Sequence, residues 1–182
     1  MKQESTLKYT LRLAVTLLLI TSVVAAVLAG VNFVTAPIIA QLKAEKLQKA
    51  IEAVLPGGGT EIGFTDETGL VSKVYAGEAG YAVEVNPNGF GGAVTMMVGI
   101  DKSGSLLGVS IVSQSETAGL GAVSAANTSA GESFRSQFAG KTGSVAVAKD
   151  GGEIDAITGA TITSRAVCTG VNAALDCIAR MG

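Results

Sequence analysis

The hydrophobic pattern divides the chain into a long uncharged run near the start and a region of short alternating segments after it. Between Leu13 and Leu42 there is no Asp, Glu, Lys or Arg, and Leu13 to Val34 is almost wholly apolar. At about 1.5 Å rise per residue, such a run is long enough to cross a bilayer as a helix. Lys2, Lys8 and Arg12 precede it against Glu4 alone, and no positive charge follows before Lys43. That asymmetry puts the N-terminus in the cytoplasm and the rest of the chain outside. A cleaved signal peptide shares the basic start, and Ala25 and Ala29 around Val27 offer a cutting point. A buried core helix is the third reading. The run is long for a signal, which favours an anchor, and anchor and signal alike put the remainder outside the cytoplasm.

Pro37 is expected to bend the chain as it leaves the membrane. Residues 38–55 then carry Ile39, Leu42, Leu47, Ile51, Val54 and Leu55 among Lys and Glu, an amphipathic helix closed by Pro56-Gly57-Gly58-Gly59. Gly80 to Val85 and Ala93 to Ile100 read as strands joined through a turn at Asn86-Pro87-Asn88-Gly89. Val94, Met96, Val98 and Ile100 alternate with Ala93, Thr95, Met97 and Gly99, which predicts one buried face. Asp101-Lys102-Ser103-Gly104 is a second turn, leading to a strand with Leu107, Val109 and Ile111 inward. The pattern predicts an antiparallel meander. A further short strand is expected over Ser144 to Ala148. From about Thr163 the chain is helical, with Val167, Val171, Ala174, Leu175 and Ile178 on one stripe. The fold class is α+β, one N-terminal transmembrane helix followed by an antiparallel-sheet domain with packed helices. The expected divisions are a cytoplasmic segment 1–12, a span 13–36, a helix and linker 37–60 and an outer domain 61–182.

Composition narrows the chemistry. Charged residues make up 15 %, below the roughly 25 % usual in soluble proteins. A net charge of −2 without a basic stripe gives no case for nucleic acid as a partner. The chain has no histidine, which removes the commonest general base and metal ligand. Cys168 and Cys177 cannot make a four-ligand metal site alone, and no metal site is expected. In one helix they fall on roughly opposite faces, so they read as core filling. Chemistry here is expected to come from a bound cofactor, with no catalytic side chain of the protein's own.

Residues 155–164 read Asp-Ala-Ile-Thr-Gly-Ala-Thr-Ile-Thr-Ser. Physically this is a turn through Gly159 that opens onto the last helix. Thr161, Thr163 and Ser164 offer hydroxyls where orphan backbone N–H groups need acceptors. The helix dipole and free amides also suit a phosphate there, and Gly159 and Ala160 leave room for a bulky group. On these grounds alone a Thr-rich helix cap stays open as a reading. The run Asp155-x-x-Thr158-Gly159-Ala160-Thr161-x-Thr163, however, resembles the flavinylation motif of FMN-binding domains in Rnf-type and sodium-pumping NADH:quinone oxidoreductase complexes. The resemblance implies one FMN per chain, joined covalently by a phosphoester to Thr161, with Ser164 beside it. It also implies a flavin transferase, using FAD, as maturation partner.

Ser115-Glu116-Thr117-Ala118-Gly119-Leu120-Gly121 is similar to the family's Glu-Thr-Pro-Gly-Leu-Gly loop, which approaches the flavin. Ala118 stands where proline is usual, and Gln114 where histidine is common. Gly89-Phe90-Gly91-Gly92 resembles the family's Gly-aromatic-Gly-Gly stretch, which would bring Phe90 near the ring. Phe134, Phe138 and Lys141 are expected to help close the site. The chain is most similar in length to the G subunits of Rnf-type ion-translocating complexes. That resemblance implies an electron-carrying subunit among other membrane subunits and lipid, coupling ferredoxin and NAD redox chemistry to sodium or proton movement. A stand-alone surface flavin reductase and a non-redox membrane-anchored binding module are the alternatives.

Overall fold

The computed structural model describes residues 2–181, with side chains from Lys8 to Met181. Of the expected segment 1–12, Met1 and the side chains of residues 1–7, Lys2 and Glu4 included, lie outside the described residues. The chain divides into two compact units, Met1–Glu45 and Lys46–Gly182.

Helix α1 (Lys2–Val54) fills the first unit and supplies the opening residues of the second. The expected separate helices before and after Pro37 are one continuous helix, with Pro37 inside it. An internal proline forfeits one backbone hydrogen bond at about 3 kcal/mol. Ending the helix there and starting another would leave about four carbonyls and four amides without helical partners, a larger loss. The hydroxyls of Thr16, Thr21 and Thr35 donate to the carbonyls of Arg12, Leu17 and Val31 at 2.8, 3.0 and 2.9 Å. These polar side chains are thereby satisfied within the helix. The stretch is long and apolar enough to cross a membrane, and none of its most apolar window is buried. A core helix would be mostly buried, so that reading falls.

In the second unit five strands form one antiparallel sheet in chain order: β1 (Thr60–Ile62), β2 (Val71–Ala76), β3 (Gly80–Val85), β4 (Thr95–Asp101) and β5 (Leu106–Ser113). The meander and the turn at Asp101 are as expected, with Asp101 Oδ1 accepting from the amides of Ser103 and Ser105 at 2.8 Å. The hairpin between β3 and β4 turns later than expected. Its tip is Gly89-Phe90-Gly91-Gly92, closed by the Gly89 amide on the Gly92 carbonyl at 2.8 Å.

One face of the sheet, with Val83, Val85, Met96, Val98 and Ile100, packs in the main core with Val167, Cys168, Val171 and Ala174 of helix α3 (Thr161–Met181). The other face is covered as well, contrary to the one-sided expectation. Met97, Ala82 and Tyr75 cluster with Ala50, Ile51, Val54 and Leu55 at the end of α1. Gly99 permits that contact, because a Cβ there would collide with the Val54 carbonyl oxygen.

Two strand assignments change. Leu107 is exposed, and Leu106 is buried in its place. The register slips between Gly99 and Ile100, which leaves Leu107 as an extra bulged residue and moves the alternation by one. Residues 144–148 form no strand: the segment makes an isolated bridge between Val147 and Ile154 and then a short 3₁₀ turn over Ala148–Asp150. Helix α2 (Ser129–Ser136), capped by the Thr128 hydroxyl, buries Phe134 against Phe138 edge-on at 5.6 Å.

Candidate functional site

The segment from Asp155 to Thr163 is shaped by one buried hydroxyl. Ser164 Oγ accepts from the Ile157 amide and donates to the Ala160 carbonyl, each at 3.0 Å. The Ala160 amide returns to the Ile157 carbonyl at 2.9 Å, closing a turn in which Gly159 takes φ 76°. Helix α3 then starts at Thr161, two residues before the expected start. Contrary to expectation, no hydroxyl caps it. Thr163 and Ser164 point elsewhere, and the amides of Thr161, Ile162 and Thr163 find no acceptor among the described residues. They form the positive end of a 21-residue helix.

Glu116 braces this helix start from the opposite side. Its buried carboxylate accepts from Thr163 Oγ1 at 2.5 Å through Oε2 and from the Gly91 amide at 2.8 Å through Oε1. Gly89 and Gly121 pack against the same carboxylate so closely that a Cβ on either would collide with its oxygens. The Glu116 amide in turn donates to Gln114 Oε1. Hairpin tip, Glu116 loop and α3 are thus tied at one point.

Around that point lies a cleft of about 320 Å³ lined by Phe90, Glu116, Thr117, Leu120, Gly121, Lys149 and Gly159 to Thr163. Phe90, Leu120 and Ile162 are exposed there at 71, 42 and 51 %, so the walls are apolar and the floor polar. Thr161 is half-buried and accepts a hydrogen bond from Lys149 Nζ at 3.3 Å. The arrangement suits an anion attached to a flat apolar group. The amides without an acceptor would meet the anion, and the three apolar side chains would flank the flat group.

Not every residue expected at the site reaches it. Asp155, Thr158 and Gly119 line a separate cleft with Phe134 and Gln137. Phe134 and Phe138 belong to the core, and Lys141 pairs with Glu153 at 2.6 Å. The idea that these three close the site is withdrawn. Lys149 and Ile162 are the residues sequence reasoning missed. Lys149 lies outside the motif runs, and Ile162 is an unspecified position within one of them.

Cys168 and Cys177 are free and buried. Burial pushes the Cys168 thiol up to about 11 and raises that of Cys177 as well. On the order of a thousandth of Cys168 is therefore thiolate at pH 8. Iodoacetamide at pH 8 is expected to leave both thiols of the folded protein unmodified while labelling both after unfolding in urea. Intact mass measures the outcome, and rapid native labelling at Cys168 would contradict its burial.

The geometry defines a protein with a helix fit to cross a membrane and an α+β domain whose cleft suits a phosphate carried on a flat apolar group. Sequence comparison agrees. Residues 89–176 match the FMN-binding domain family, and residues 1–54 match the RnfG N-terminal region. The chain is 33 % identical to the G subunit of the Na(+)-translocating ferredoxin:NAD(+) oxidoreductase complex of Acetobacterium woodii, over 93 % of this chain and 91 % of the relative. It is 35 % identical to the proton-translocating counterpart of Clostridium ljungdahlii over 82 % and 81 % of the two chains. The G subunit of the ion-translocating oxidoreductase complex of Methanosarcina acetivorans is 32 % identical over 91 % and 92 %. The chain belongs to the family of Rnf complex G subunits.

Proposed function

We propose that this chain is the electron-carrying G subunit of a membrane-bound Rnf-type oxidoreductase that couples ferredoxin and NAD redox chemistry to sodium or proton translocation. Its relatives in Acetobacterium woodii and Clostridium ljungdahlii bear names specifying sodium and proton translocation respectively. FMN is its redox group, covalently linked by a phosphoester to Thr161. The observation that carries this reading is the start of α3: a half-buried hydroxyl beside three amides with no acceptor among the described residues, in an apolar-walled cleft.

FMN, when bound, supplies one- and two-electron chemistry that no side chain here offers. The protein's part is to hold it. The Thr161, Ile162 and Thr163 amides bind the phosphate. Phe90, Leu120 and Ile162 exclude water from the ring's flanks, and Glu116 fixes the helix start against the hairpin tip. Among the described residues the only side chain bonded to the Thr161 hydroxyl is Lys149, a donor; the Glu116 carboxylate in the same cleft is taken up by Thr163 and Gly91, and the chain has no histidine. The proton acceptor for attachment must therefore come from another protein, which supports a dedicated flavin transferase.

Residues 1–12 lie in the cytoplasm, 13–36 span the lipid bilayer, and the domain from residue 61 lies outside. The excess of Lys and Arg before the span supports that orientation. Other subunits must form the ion pathway, because residues 13–42 contain no charged group.

The test is the chain purified from membranes that also contain the transferase. After denaturing electrophoresis its band is expected to fluoresce under ultraviolet light. Its mass should exceed that of the polypeptide by one FMN less one water. A dark band of unchanged mass would refute covalent flavin.

A further inference from the structure

We infer that Lys149 is the cation that receives the flavin phosphate at Thr161, orienting the hydroxyl before transfer and pairing the phosphodiester charge afterwards. The inference rests on the covalent reading above and adds a residue that the motif does not contain. Lys149 Nζ donates to Thr161 Oγ1 at 3.3 Å, and no other side chain among the described residues bonds that hydroxyl.

The charge on Lys149 is available for this work. Arg165, one turn into α3, grips Asp150 with Nε and Nη2 at 2.7 and 2.6 Å. That pairing, more than anything else, holds the Asp150 carboxyl below its usual range. Asp150 is thus satisfied by Arg165, and Lys149 forms no ion pair among the described residues. Two adjacent residues on one turn have separate tasks.

The backbone carrying Lys149 is also fixed relative to the acceptor. The Ala148 amide donates to the Ile154 carbonyl at 2.8 Å, and the Ile154 amide to the Ala146 carbonyl at 3.1 Å. The Gly152 amide closes the turn on the Val147 carbonyl at 3.1 Å. Ile154 leads directly into the segment that ends at Thr161. The lysine is therefore clamped to the strand of chain that delivers the hydroxyl.

The transfer explains why a cation belongs there. Thr161 Oγ1 forms a bond to the riboflavin-side phosphorus of a flavin dinucleotide. The pyrophosphate P–O bond breaks, AMP leaves, and the hydroxyl proton passes to the transferase. The incoming pyrophosphate carries two negative charges and the product phosphodiester one. An ammonium beside Oγ1 stabilises the alkoxide character that develops there as the proton leaves, and can turn to the phosphoryl oxygens once the bond to phosphorus has formed.

The experiment uses the full-length chain in membranes with transferase and FAD, comparing Lys149→Gln, Lys149→Arg and, as a control of equal charge change, Lys141→Gln. Covalent incorporation is followed by in-gel fluorescence and intact mass. Lys149→Gln is expected to slow incorporation about tenfold or more, the scale of a charge-assisted hydrogen bond. Lys149→Arg should recover most of that loss, and Lys141→Gln should match wild type. In protein loaded to completion, the single phosphorus NMR resonance should move in Lys149→Gln and stay in place in Lys141→Gln. A wild-type rate or an unmoved resonance in Lys149→Gln overturns the inference, as does a defect that Lys149→Arg fails to relieve. Wild type that takes up no covalent flavin instead overturns the attachment itself, and this role with it.

Discussion

Thr161→Ala is expected to eliminate covalent flavin entirely while leaving the domain folded. The half-buried side chain contributes one long hydrogen bond from an exposed lysine, so its loss costs at most a few tenths of a kcal/mol. The chemical effect is all-or-none, because no phosphoester forms without the oxygen. Thr161→Ser keeps the oxygen and should keep the flavin. Thr163 cannot substitute, since it is buried and its hydroxyl is committed to Glu116. Persistent fluorescence of the denatured Thr161→Ala band would move the attachment elsewhere. Circular dichroism separates loss of flavin from loss of fold.

The largest expected effect on stability lies away from the site, at Gly99. It faces Gly108 across β4 and β5, and the two glycines occupy opposite environments. A Cβ on Gly99 meets the Val54 carbonyl, whereas a Cβ on Gly108 meets nothing within 4 Å. Gly99→Val is expected to cost about 3 kcal/mol or more, because backbone on one side and sheet on the other leave no room to relax. Gly108→Val should fall within about 0.5 kcal/mol of wild type. Thermal unfolding of the detergent-solubilised chain tests the pair. Equal midpoints would mean that the end of α1 does not pack on the sheet as described.

Much of the fold was legible because its signals are local. The charge-free run from Leu13, the β4 alternation and the apolar stripe of α3 each declare their element from residues close together in the chain. What escaped depends on partners distant in sequence. Leu107 alternates correctly with Val109 and Ile111, and only the bulge against β4 turns it outward. Pro37 carries a real breaking tendency, overridden by a helix that has more to lose by stopping. Met97 and Gly99 look like a solvent face until residues 50–55 cover them.

The site divides in the same way. Thr161 and the Glu116 loop stand in recognisable runs of residues, and the cleft brings them together. The capping role expected of Thr163 and Ser164 fails because both hydroxyls have better partners, a carboxylate and the turn before the helix. Lys149 left no trace in the sequence, for its meaning is a distance.

The Glu116 carboxylate joins Gly91, 25 residues before it, to Thr163, 47 residues after it. An acceptor assembled from pieces so far apart exists only once the domain has closed. On the proposed attachment, flavin transfer therefore follows folding in the order of maturation. Chains that stall along the way would then stay colourless, and the flavin content of a preparation would become a ledger of how many molecules reached the native state.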